Sequence, residues 1–180
     1  MRHHAWGTDP EGVYRDWLVQ KCKGCEAVAE VGVFAGSTTL RLAKETEVPL
    51  IVAVDHWRGV PHDPTQAAIY RDLKKTRKLF HSRLRPWILE KRVQVLEMGS
   101  PSAAIRCHEW GVKFDLIFLD ADHRYTNTRR DIRAWSGLVR PGGILCGHDI
   151  GWPGVRRAVE EELPRSWMMG SGSTWWSFLP

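Results

Sequence analysis

No stretch of the 180 residues is apolar for long enough to cross a membrane as a helix, so no membrane partner is expected. The opening MRHHAWGTDPEG lacks the apolar centre of a secretory signal, and the expected compartment is the cytoplasm. Internal repeats and low-complexity tracts are missing, which removes solenoids and long disorder from consideration. Cysteine is scarce: Cys22, Cys25, Cys107 and Cys146 are all there is. Cys22 and Cys25 form a CxxC, but no second pair completes the four ligands of a structural zinc. The pair also falls at the end of a predicted helix and ahead of a strand, the reverse of a redox motif. Reduced thiols are the plain reading. A third glycine is missing as well. VAEVGVFAGSTT (28–39) holds Gly32 and Gly36 but has Val33 and Phe34 after the first, not the G-x-G-x-x-G of a dinucleotide site. Too little chain is left for a separate substrate domain, so one domain over 1–180 is expected.

What is present is a core and a rhythm. Hydrophobic residues make up 43% of the chain, enough to bury a core, and the net charge is +5. Nine Lys/Arg fall between Arg71 and Arg92 against only Asp72 and Glu90. Such a run is either a surface for an anionic partner or a solvated helix face, and the second is the commoner outcome. AVAEVGV (27–33), LIVAVD (50–55), RVQVLEM (92–98), FDLIFLD (114–120) and GILCGHD (143–149) read as strands, mostly of the near-continuous apolar kind buried on both faces. Between them, helices are predicted over 37–45, 65–84, 101–110, 126–139 and 153–163, with RPGG (140–143) stopping the fourth. The alternation argues a Rossmann-like, doubly wound α/β domain. RSWMM, GSGS and TWWSFLP at the end read as a closing hairpin in which Trp175 and Trp176 pack the sheet edge.

In such folds ligands bind beyond the carboxyl ends of the strands, where strand order reverses. Gly32 and Gly36 would let a ligand approach the backbone, and the helix start behind them offers free N–H donors. One strand later Asp55 ends an apolar run, where a carboxylate can take both hydroxyls of a ribose. Glu30, inside the first strand, adds negative potential suited to an ammonium or sulfonium. A phosphate-free adenosine cofactor with a cationic amino-acid tail fits these features, which points to S-adenosylmethionine. A second cluster follows. Asp120 ends the fourth strand ahead of Asp122 and His123, and His148 and Asp149 end the fifth. Neighbouring strands would bring these ends within about 5 Å of one another. Acids and histidines so placed can hold a divalent cation, and His123 is suited to remove a proton from a hydroxyl. Asp122 either joins them or turns the chain into the next helix.

EVGVFAGSTT, VAVDHW, FDLIFLDADHRY, DIRAW and VRPGGILCGHDI together resemble the class I S-adenosylmethionine-dependent methyltransferases, from about Cys25 to Ile150. Within them the chain is similar to the small-molecule O-methyltransferase branch that includes macrolide-sugar (macrocin-type) enzymes. The resemblance implies a mostly parallel seven-stranded sheet with a C-terminal antiparallel hairpin. It implies that Glu30, Gly32, Phe34, Gly36 and Ser37 line the methionine part of the cofactor. Asp55 would hold the ribose with Trp57 nearby, and Ser100 would border the adenine. Asp120, His148 and Asp149 would hold magnesium or another divalent cation, Asp120 also serving cofactor and catalysis, and His123 would be the base. His148 stands where some relatives carry a carboxylate, so a softer ion, or none, is compatible with this set. The expected partner is a small-molecule acceptor. A nucleic-acid acceptor and a cofactor-binding protein without turnover are the alternatives, and a homo-oligomer stays open.

Overall fold

The computed structural model describes residues 12–59, 72–163 and 167–180. The opening segment, the start of the helix expected from Thr65, and Arg165 and Ser166 of the expected hairpin lie outside these residues. Five strands follow the apolar runs: β1 (Ala27–Val31), β2 (Leu50–Val54), β3 (Val93–Leu96), β4 (Phe114–Leu119) and β5 (Val139–Gly147). β6 (Trp167–Met169) and β7 (Trp175–Phe178) form the hairpin. They assemble as one seven-stranded sheet in the order β3-β2-β1-β4-β5-β7-β6. β1 through β5 are parallel, and β7 runs antiparallel to both β5 and β6.

Side chains alternate across this sheet, and each face has its own helix layer. Ala29, Val31, Val52, Val54, Ile117 and Leu119 pack with α4 (Ser100–Glu109), α5 (Tyr125–Ser136) and α6 (Pro153–Glu162). Val28, Ile51, Ala53, Leu116 and Phe118 pack with α1 (Val13–Lys21), α2 (Ser37–Glu45) and α3 (Leu73–Leu89). That is why β1 is buried at every position and reads as an unbroken apolar run. Glu30 is the exception in that run, paired in register with Ala53 and Phe118.

The strands end one or two residues before the apolar runs that predicted them, β5 at Gly147 with His148 and Asp149 just beyond it, and two expected helix ends move by more than one residue. The fourth predicted helix ends at Ser136, not at 139, because Leu138 and Val139 belong to the sheet entry: the Phe114 N–H donates to the Leu138 carbonyl at 2.9 Å. RPGG therefore lies inside β5, where the register with β4 slips between Phe114 and Leu116. The second helix continues past Leu84 through Pro86 to Leu89. Ser82 and Pro86 are both exposed, so the carbonyl that the proline leaves without an N–H faces water and the interruption is tolerated. The CxxC follows α1, and none of the four cysteines, all among the described residues, is paired in a disulfide. Among the described residues no helix is long and apolar enough to cross a membrane.

Candidate active site

Strand order reverses between β1 and β4, and there the carboxyl ends of the parallel strands open onto a cleft of about 500 Å³. Gly32, Phe34, Asp55, Ser100, Asp120, His123, His148 and Asp149 all line it, so one cavity unites both clusters expected from the sequence.

The glycines serve the protein before any ligand. Gly32 has φ 97°, and a Cβ there would stand 2.1 Å from the Asp120 carbonyl oxygen. The chain leaving β4 passes directly over it, fixed by the Asp120 N–H donating to the Val31 carbonyl at 2.8 Å. Gly36, at φ 77°, makes room for the ring of Phe80 from α3. Between them Phe34 takes a left-handed φ of 47°, which costs a non-glycine residue about 1–3 kcal/mol. Asp55 holds that turn. Its Oδ2 accepts from the Phe34 N–H at 2.9 Å and its Oδ1 from the Trp57 N–H at 2.8 Å. The Trp57 indole N–H in turn donates to the Phe34 carbonyl at 2.8 Å. A carboxylate has about four acceptor sites, so Asp55 is fixed in place with capacity left toward the cleft.

Four of the residues expected to touch the cofactor stand outside the cleft lining. Gly36 is covered by Phe80, and Ser37 is exposed beside Arg83. Trp57 is buried against Phe80 and His81 and acts through Asp55 and Phe34. Glu30 lies beneath the turn, 2% exposed, and accepts the Thr39 hydroxyl of α2 at 2.5 Å. Burial pushes its pKa up to about 8, and the nearby Asp120 adds to the shift. Burial thus favours the neutral carboxyl of Glu30, and its contact inside the protein is with α2 and not with the cleft.

Beyond Gly32 two acids and two histidines converge from β4 and β5. His123 Nε2 donates to Asp149 Oδ2 at 2.7 Å. His148 Nε2 donates to the Gly172 carbonyl at 2.8 Å, which turns its Nδ1 toward Asp149 Oδ2 at 3.4 Å and Asp120 Oδ1 at 3.9 Å. Ligand atoms of Asp120, His123 and Asp149 lie within 4.8 Å of one another. Burial pushes Asp120 up to about 6. Asp149 is buried too, yet the two imidazoles hold it well below the usual carboxylate range. Burial alone would lower both histidines; their contacts with the acids overcome it and raise them. His123 is further fixed by stacking on Trp152, with ring centroids 5.2 Å apart. Asp122 goes to structure: its carboxylate accepts from the Arg124 N–H at 2.8 Å and from the Asn127 amide at 2.6 Å, and so turns the chain into α5.

Among the cleft residues that sequence reasoning missed are Tyr14, Arg15 and Asp131. Tyr14 and Arg15 enter from α1, and both reach Thr38 of α2: the Tyr14 hydroxyl lies 3.1 Å from Thr38 Oγ1, and Arg15 Nε donates to it at 3.2 Å. Their partner is more than twenty residues away, so no local spacing announces them. Asp131 lines the far end of the cleft, where it accepts the Ser100 hydroxyl at 2.7 Å. It belongs to the DIRAW segment but carried no role in the sequence reading.

Residues 29–150, two thirds of the chain, match the family model described as a methyltransferase domain. Catechol O-methyltransferase B from Danio rerio is 28% identical over 167 residues; the match covers 88% of this chain and 56% of that protein, so the chain spans little more than half its length. Among solved structures, the O-methyltransferase from Bacillus cereus in complex with SAH aligns with a TM-score of 0.65 at 19% identity, over 98% of this chain and 84% of that one. The TDP-rhamnose 3′-O-methyltransferase of calicheamicin biosynthesis aligns with a TM-score of 0.63 at 17% identity, over 92% and 77%.

Proposed function

The chain belongs to the methyltransferase-domain family, and from that premise we propose that it moves the methyl group of S-adenosylmethionine to an oxygen of a small acceptor. The observation that carries this reading is the joining, in one cleft, of a pre-oriented carboxylate at the end of β2 and an acid–imidazole cluster at the ends of β4 and β5. The B. cereus structure with SAH supports the choice of cofactor.

S-adenosylmethionine supplies an electrophilic methyl on a sulfonium, so the protein's work is alignment, charge and one proton. Asp55 takes the ribose hydroxyls. Gly32 and Phe34 shape the floor between ribose and sulfur, and Ser100 borders the base. His123 takes the acceptor's hydroxyl proton, and its contact with Asp149 steadies the imidazolium that results.

The donor set also fits a divalent cation. His148 commits Nε2–H to Gly172 and leaves Nδ1 facing two carboxylates, the way a protein presents an imidazole ligand. Asp120, His148 and Asp149 would hold the ion, and the nitrogen donor shifts preference from magnesium toward manganese or zinc. Bound there, such an ion would supply a Lewis acid that eases ionisation of the acceptor hydroxyl.

For the acceptor, the catechol relative and the TDP-rhamnose neighbour both support a compound with adjacent hydroxyls, aromatic or sugar. The test is formation of S-adenosylhomocysteine with a panel of catechols and deoxysugar nucleotides, with and without exhaustive chelation. Turnover with a diol and none with its fully methylated form supports the reading. Transfer to nitrogen or carbon acceptors alone would sink it, and full activity after chelation would remove the ion.

A further inference from the structure

Asp131 is a carboxylate that the proposed reaction leaves unused. It sits on the second turn of α5, is 5% exposed, and lines the end of the cleft formed by Met98, Gly99, Ser100 and Pro101. The Ser100 hydroxyl gives its one proton to Asp131 Oδ1 at 2.7 Å and accepts the Trp135 indole N–H at 3.0 Å. Ser100 therefore has no donor left for a ligand, and Pro101 has no backbone N–H to offer. Asp131 is fixed by this relay, yet only one of its hydrogen bonds is made within the protein among the described contacts. A buried carboxylate in that condition calls for a donor from the cleft.

The cofactor has one donor to give at that end. With the ribose on Asp55 at the end of β2, the base extends outward toward the end of β3 and the start of α4, where Ser100 and Asp131 meet. An adenine substituted at N9 carries N–H bonds only on its 6-amino group; every other edge atom is an acceptor or a C–H. We propose that Asp131 accepts a hydrogen bond from the 6-amino group of the bound adenine, and so selects adenine over purines that lack it. The inference rests on the S-adenosylmethionine reading and adds the residue that recognises the base. Burial raises the Asp131 pKa to about 6, which leaves it mainly ionised, and an acceptor only, at neutral pH. Its position above the usual carboxylate range fits a group that lacks a full set of donors.

The experiment is a thermodynamic cycle. Binding of S-adenosylhomocysteine and of its 6-unsubstituted purine analogue is measured by calorimetry on the full chain and on Asp131→Ala. The wild type binds the adenine compound about tenfold to a hundredfold more tightly, the range expected for a hydrogen bond to a charged group. In Asp131→Ala the two affinities come within about threefold of each other, since the group that told them apart is gone. A purely structural role, through Ser100 and the start of α4, lowers both affinities in parallel and keeps their ratio; that result overturns the inference. Equal binding of both compounds by the wild type overturns it without touching the cofactor reading. Failure of the wild type to bind either one overturns both. Should Asp131→Ala not fold, Asp131→Asn keeps the shape and shrinks the ratio, because a neutral acceptor is the weaker partner.

Discussion

Asp55 and Glu30 are carboxylates on adjacent strands, and their surroundings give them opposite work. Two backbone N–H groups orient Asp55 at the rim of the cleft. Glu30 is sealed under the turn with one hydroxyl for company. Its folded pKa, about 8, lies above the ordinary 4.5, so between those values the folded chain holds a proton that the unfolded chain has released. Its contribution to stability is thus complete at acid pH and is lost as pH rises through that window, by up to about 1.4 kcal/mol per pH unit. Glu30→Gln removes this slope. Urea unfolding from about pH 5 to about pH 8 should show the variant gaining on the wild type as pH rises, and parallel profiles would refute the assignment. His123 makes a different prediction. His123→Ala should lower kcat by about 10²–10⁴ with little change in S-adenosylhomocysteine affinity, as for loss of a general base. A matching loss of affinity would instead make His123 a cofactor residue.

The elements were the most legible part of the sequence. β1, β2 and β4 are covered on both faces, so their apolar runs announced them. Trp135 and Ile132 marked the inner face of α5, but Leu138 keeps the same spacing while already belonging to the turn, and the predicted helix overshot. The end expected near Leu84 fell short of Leu89 for a related reason, since sequence does not say which side of a helix meets water. The acid–imidazole cluster was legible because its members end two consecutive strands. Tyr14, Arg15 and Asp131 were not, because each depends on a partner set by tertiary packing. Gly32 illustrates the same limit: it reads as a ligand-approach glycine, while its nearest constraint is the backbone leaving β4. Gly32→Ala would force that backbone to move and place a side chain at a φ that alanine rarely adopts. A loss of about 2 kcal/mol or more is expected, above the typical cost of a point substitution. Thermal unfolding checks it, and a Tm within a degree or so of wild type would mean that the β4 exit yields freely.

At the scale of the whole molecule, the basic stretch resolves into separate jobs. Arg92 donates to the carbonyls of Ala43, Thr46 and Val48 and closes the bottom of the sheet. Arg77 pairs with Glu97, and Arg83 reaches the Ala35 carbonyl. Lys74, Lys75 and Lys78 remain on the exposed side of α3. Replacing those three with Ala should leave S-adenosylhomocysteine affinity within about twofold, since exposed positions away from a site carry little energy. A salt-sensitive affinity for RNA that vanishes in the triple variant would point to a polyanion surface instead. The account as a whole stands on the cleft at the switch of strand order being a cofactor site anchored by Asp55. The most direct measurement is calorimetric titration of the wild type and of Asp55→Ala with S-adenosylhomocysteine, with circular dichroism to show that both are folded. The account predicts single-site binding by the wild type, and an affinity at least about tenfold weaker in Asp55→Ala, from loss of the acceptor for two ribose hydroxyls. No binding by the wild type, or equal affinity in a folded Asp55→Ala, would contradict it.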